Sequence, residues 1–154
     1  MAHHVNFRPQ QPVTPLEDDD LAQLLMVGLV RRYREGTIIL TEGVPGLHLH
    51  VIRRGQVRIS KMIPQVGEEA LSILGPGDFF GEIEFLDGAP ASANAIAHTT
   101  CEVFSIPHTE LRVMLHSRPE LTARFLWAFG TTLATRLRET NQKVATFLAL
   151  AREG

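Results

Sequence analysis

The residues best suited to chemistry lie in one stretch, Gly77 to Ile96, GDFFGEIEFLDGAPASANAI. Its layout is that of a phosphate-binding turn. A glycine and an acid open it, a short apolar turn follows, and small residues close it. Backbone N–H groups at such a turn can face an anion. Yet the stretch carries Glu82 and Glu84 and no Arg or Lys. An anionic ligand in a partly buried site needs a compensating cation or several donors, so this cradle lacks an expected part. Acid–base catalysis by the two glutamates is not indicated, because side chains at i and i+2 do not share a helix face. A second cluster, His48-Leu49-His50, has the types for metal binding. A metal site needs further ligands at set positions, and the residues three and four past His50 are Arg53 and Arg54.

The elements that must position these residues follow from texture. Residues 1–15 hold three prolines and read as a loose lead-in. Asp18, Asp19 and Asp20 then precede LAQLLMV, which predicts a short helix ending near Gly28. From Val30 to Ile106, short β-rich runs alternate with glycines: VRRYREG, TIILTEG, LHLHVIRRG, QVRISKMI, EALSILGPG and ANAIAHTTCEVFSIP. Gly36, Gly43, Gly55, Gly67 and Gly77 stand where strands would turn. This spacing predicts an antiparallel β jelly roll, a double-stranded β-helix, within an α+β chain.

After Pro107, HTELRVMLHSR reads as a short helix and Pro119 opens a long one. The expected organisation is a lead-in over 1–15, a roll with its N-terminal helix over 16–118, and a helix over 119–152. Leu126, Gly130, Leu133, Leu137, Thr140, Val144, Phe147 and Ala151 follow a 4-3 spacing, the seam of a coiled coil. A helix of about thirty residues is about 45–50 Å long, longer than a small barrel is wide. A second copy of the helix is the simplest partner, so a homodimer is expected.

Composition sets outer bounds. Hydrophobic residues make up 44% and charged residues 21%, which supports a packed core rather than disorder. The formal net charge of −2 gives no global pull toward nucleic acid or anionic lipid. The lone Cys101 precludes an internal disulfide and fits a cytoplasmic setting as a buried small hydrophobe. LAQLLMVGLV is about half the ~20 residues a membrane span needs. His3 and His4 are read as inert.

The glycines in YREGTIILTEG, LHVIRRGQVRIS and LGPGDFFGEIEFL, in this order of elements, resemble the cyclic-nucleotide-binding domain. The branch is that of the catabolite-activator-like (Crp/Fnr-type) regulators, and the resemblance covers about Leu21 to Ala149. It implies a regulatory module that takes cAMP or cGMP, is not an enzyme, and signals by moving its long helix. Gly81 and Glu82 match the family's G-E pair, whose glutamate accepts hydrogen bonds from the ribose 2′-hydroxyl. Ile83, Glu84 and Phe85 fall in the one-turn helix, Ser92 at the small hydroxyl position, and Ala93 beside it. Ala91 falls where the family has the arginine that pairs with the cyclic phosphate, and Glu84 where it has alanine or glycine.

The same resemblance places Thr140 and Asn141 where two polar residues touch the purine, one of them from the dimer partner. Regulators of this branch usually continue into a helix-turn-helix. The chain stops at Gly154, so direct DNA binding is not expected. Arg53, alternating with Leu49 and Val51, would reach a ligand if the Leu49 face were the barrel interior. A charge at a strand end open to water is the plainer reading. Solvent is likewise the common fate of a glutamate such as Glu84. Two other readings compete. One is a dimeric interaction module that has lost its ligand. The other is a metal enzyme, since HLH is similar to the His-x-His of cupins, though the further cupin ligands are missing.

Overall fold

The computed structural model describes residues 17–154. The lead-in over 1–15, with His3 and His4, lies outside the described residues. Those described fall into two compact units, one of Asp18–Ser117 and one that includes Arg118–Gly154.

The first unit opens with α1 (Asp18–Leu25), whose first turn holds the three aspartates. Negative charge there offsets the unpaired N–H groups of the helix start. The helix ends before Gly28. Met26 and Val27 tighten its end by donating to the carbonyls of Gln23 and Leu24, both at 3.3 Å.

Eight strands follow: β1 (Leu29–Tyr33), β2 (Ile38–Leu40), β3 (His48–Arg54), β4 (Val57–Ile63), β5 (Gly67–Leu74), β6 (Phe79–Phe80), β7 (Asn94–Ala97) and β8 (Cys101–Pro107). They form two antiparallel four-stranded sheets, ordered β1-β8-β3-β6 and β2-β7-β4-β5. This is the expected jelly roll. All five glycines assigned to turns have positive φ, from 79° at Gly55 to 105° at Gly67. The last predicted run, ANAIAHTTCEVFSIP, is two strands rather than one, broken at His98–Thr100. There the Gln56 carbonyl accepts from the N–H of both His98 and Thr99, and the Gln56 N–H donates to Thr99 Oγ1 at 3.0 Å.

The roll closes over Ile52, Val57, Leu74, Phe80, Ala95, Ala97, Cys101 and Val103. Cys101 is buried, as expected of a small hydrophobe. Between β6 and β7 lies one short helix, α2 (Glu82–Asp87), and after β8 comes α3 (His108–Ser117).

The second unit is dominated by α4 (Pro119–Arg152), 34 residues with proline in the first turn. At 1.5 Å per residue it is about 51 Å long. Leu121, Phe125 and Phe129, one face at i, i+4, i+8, are buried. From Leu137 onward every residue of the helix is exposed, including the apolar Leu137, Val144, Phe147 and Leu148.

Candidate functional site

The site is built around α2. The helix begins at Gly81, with φ 85°, and ends at Gly88, with φ 70°, whose N–H donates to the Glu84 carbonyl at 3.0 Å. Gly81 cannot be replaced without disruption, because a Cβ there would run into the carbonyl oxygen of His48. Positive φ and a close backbone approach together demand glycine.

Three histidines hold this point from behind. His108 Nε2–H donates to the Gly81 carbonyl at 3.1 Å, and its ring lies 5.3 Å from that of Phe85. The His50 ring stacks on Phe80 with centroids 4.7 Å apart, and its Nδ1 shares a 2.8 Å hydrogen bond with Ser105 Oγ. His48 tilts against His50 at 5.8 Å. Burial, with His48, Arg31 and His108 nearby, pushes the His50 imidazole down to about 3. Burial also holds His48 below its ordinary value, helped by Arg31 and His108. His108 is lowered by burial too, against the hydrogen bond to Gly81, which favours its charged form. The cluster is therefore neutral at pH 7. The ring nitrogens of His50 and His108 serve as hydrogen-bonding struts rather than charges. Among the described residues, no group of three His, Cys, Asp or Glu side chains is placed to hold a metal ion.

The segments that match the family pattern converge here. Glu82 is buried at 2% exposure, and Ala93 is buried as well, while Ile83 and Ser92 lie at the surface. Ala91 is buried and joined by two backbone bonds to the turn between β2 and β3. Its carbonyl accepts from Gly43 at 2.9 Å, and its N–H donates to the Val44 carbonyl at 3.1 Å.

One expectation needs correction, and one open question is answered by the plainer reading. Glu84 does not take a glutamate's common course into solvent. It is only 7% exposed, and its side chain lies against Gly46, where an added Cβ would sit 3.3 Å from Glu84 Cγ. The glycine at 46 makes room for it. Arg53 does not enter the roll. The interior face of β3 carries Ile52, not Leu49, so Arg53 points outward. There it pairs with Glu102 at 3.5 Å, which also binds Arg32 at 3.2 Å. Arg58 and Lys61 are likewise engaged, with Glu68 at 2.6 Å and Glu42 at 3.2 Å.

Thr140 and Asn141 belong to the other unit and are exposed on α4. The Thr140 hydroxyl donates to the Arg136 carbonyl at 2.9 Å. Of the seam, Leu126, Leu137, Val144 and Phe147 are exposed, Phe147 by 70%, and Leu133 is half-buried.

Sequence reasoning missed the role of the histidines. His50 stood out only as half of HLH, and His108 not at all. Its contact with Gly81 spans 27 residues and needs the β3–β8 pairing to exist. The only local signal is a histidine directly after Pro107, at the start of a helix.

Comparison with known proteins agrees with this geometry. The cyclic nucleotide-binding domain family matches residues 30–118. The chain is 34% identical over 113 residues to the CRP-like cAMP-activated global transcriptional regulator of Mycobacterium tuberculosis, covering 73% of this chain and 49% of that protein. It is 34% identical over 109 residues to the cyclic AMP receptor protein of Thermus thermophilus, covering 71% and 49%. The chain thus spans about half the length of these curated relatives. Among solved structures, it is similar to a cyclic nucleotide-binding domain from Methylobacillus flagellatus KT. The TM-score is 0.78 at 26% identity, over 85% of this chain and 74% of that one. The catabolite activator protein of Thermus thermophilus gives 0.71 at 26%, over 86% and 60%. Among the described residues, no helix is long and apolar enough to cross a membrane. With α2 set between two β-strands of a jelly roll and opened by a Gly81-Glu82 pair, the chain belongs to the cyclic nucleotide-binding domain family.

Proposed function

We propose that this chain is a regulatory module that binds a cyclic nucleotide, cAMP or cGMP, weakly in the segment Gly81–Ala93 and signals through α4. The observation that carries the reading is the preserved frame of α2: glycine at each end, Glu82 buried, and Gly81 braced by His108. Glu82 receives the ribose hydroxyl, and the backbone N–H groups of α2 face the phosphate. Affinity is reduced because Ala91 offers a methyl group where a guanidinium would stand. Loss of a buried ionic partner typically costs ~3–5 kcal/mol, which is about two to three orders of magnitude in affinity.

The exposed apolar stripe of α4 supports a homodimer joined through Leu126, Leu133, Leu137, Val144 and Phe147, with Thr140 and Asn141 offered to the purine. The named activity of the relatives, activation by cAMP, is in keeping with this ligand class. No catalytic role is assigned to any residue. Calorimetric titration with cAMP and with cGMP tests the reading. Weak, saturable heat with either supports it, and no heat at millimolar ligand removes both nucleotides. The buried Glu84 favours one competing reading, a dimeric interaction module without a ligand, which that second outcome would leave standing.

A further inference from the structure

We propose that Lys61 supplies the positive charge that position 91 lacks, passing from Glu42 to the phosphate when an anionic ligand arrives. The inference rests on the reading of Gly81–Ala93 as a cyclic-nucleotide site.

The strand register places the pair. Leu40 on β2 and Ile59 on β4 both stand opposite Ala95 on β7, and both pack against the core of the roll. Two residues further along each chain, toward Ala93, alternation returns Glu42 and Lys61 to that inner face. There Lys61 Nζ meets Glu42 Oε1 at 3.2 Å, so the ion pair spans the chain where it leaves the proposed site. Glu42 is tied to this place by its backbone. Its N–H donates to Asn94 Oδ1 at 2.8 Å, and the N–H of the next residue, Gly43, donates to the Ala91 carbonyl at 2.9 Å. Other cations of these strands are turned away. Arg58 alternates with Ile59 onto the other face of β4, where Glu68 holds it, and Arg53 points out of the roll toward Glu102. Glu69, directly opposite Lys61 on β5, makes no ion pair with it among the described residues.

Little holds the pair closed. The side chains of Lys61 and Glu42 are 46% and 35% exposed, and ion pairs so open to water are weak. Lysine is a point charge on a flexible stem, so its ammonium can turn to a phosphate oxygen without moving β4. Glu42 stays behind as a nearby negative charge, and the gain is smaller than a dedicated arginine would bring. That accords with weak binding.

The test is calorimetric titration of the full chain and of Lys61→Gln, Lys61→Arg and Glu42→Gln, with cAMP and with adenosine, which carries no phosphate. Lys61→Gln should weaken cAMP binding about tenfold, the loss of one charge-assisted contact, and leave adenosine unchanged. Lys61→Arg should retain cAMP binding. Glu42→Gln removes the competitor and should tighten cAMP several-fold. Equal cAMP affinity of the native chain and Lys61→Gln overturns the proposal and leaves the nucleotide reading intact. An equal loss for cAMP and adenosine overturns it too, since that marks a purely structural role. No heat with millimolar cAMP from either the native chain or Glu42→Gln overturns the nucleotide reading, and the role of Lys61 with it.

Discussion

Acid should loosen this fold through His50, and the size of the effect follows from its surroundings. The His50 imidazole has an ordinary pKa of 6.5 and is pushed down to about 3. In the unfolded chain it returns to its ordinary value. Below pH 6.5 the unfolded state therefore binds a proton that the folded state refuses. Stability is complete above pH 6.5 and is lost as pH falls toward about 3. The slope is about 1.4 kcal/mol per pH unit for one proton. A difference of about 3.5 units sums to about 5 kcal/mol, comparable with the whole stability of a small domain. His48 and His108 are shifted in the same direction and steepen the loss. The perturbation is His50→Gln, which can still hydrogen-bond to Ser105 but does not titrate. The assay is urea unfolding followed by circular dichroism at a series of pH values from neutral to mildly acidic. The variant should be less stable at neutral pH, having lost its stack on Phe80, yet show a shallower decline with acid. Parallel pH curves for the two proteins would refute the reasoning, because they would mean that His50 takes up its proton as readily in the folded state.

Further outcomes follow from particular contacts. Gly81→Ala should cost ~1–3 kcal/mol, because it combines a positive φ with a collision at the His48 carbonyl. Thermal melting checks this, and an unchanged midpoint would contradict the described backbone. Cys101→Ser should cost ~1–3 kcal/mol, since it places a hydroxyl in an apolar core, as read by urea titration. Leu137→Asp combined with Phe147→Asp should convert a dimer to a monomer in sedimentation while leaving the helical circular-dichroism signal in place. Thr140→Val should weaken cAMP binding about tenfold, the worth of about one hydrogen bond, without altering the oligomeric state.

Much of the roll was legible because glycine leaves a backbone signature in sequence. Gly36, Gly43, Gly55, Gly67 and Gly77 each stand at a position of positive φ, which other residues adopt only at a cost. The turn at His98–Thr100 has no such mark. It is held by the backbone of Gln56 and the Thr99 hydroxyl, so β7 and β8 read as one run. Alternation on β3 was legible, but not which parity faces inward, since Leu49 and Ile52 are both buried on opposite faces. That ambiguity is what left Arg53 open as a replacement cation. The Gly81-Glu82 pair that opens α2 was legible as a motif, as was the alanine at 91. The burial of Glu84 was not, because it depends on Gly46, which is distant in sequence and bare of a side chain. The bracing of Gly81 by His108 was equally hidden, since hydrogen bonds between distant segments leave no periodicity to read.

If a cyclic nucleotide sits against α2, the backbone N–H groups of that helix must sense it. An amide NMR titration of the labelled chain with cAMP reads them residue by residue. Saturable shifts are expected at millimolar ligand, concentrated in Gly81–Asp87 and Ala91–Ala93. Amides of Gly81–Ala93 that stay fixed at millimolar cAMP, or shifts confined to other segments, would contradict a nucleotide site at α2.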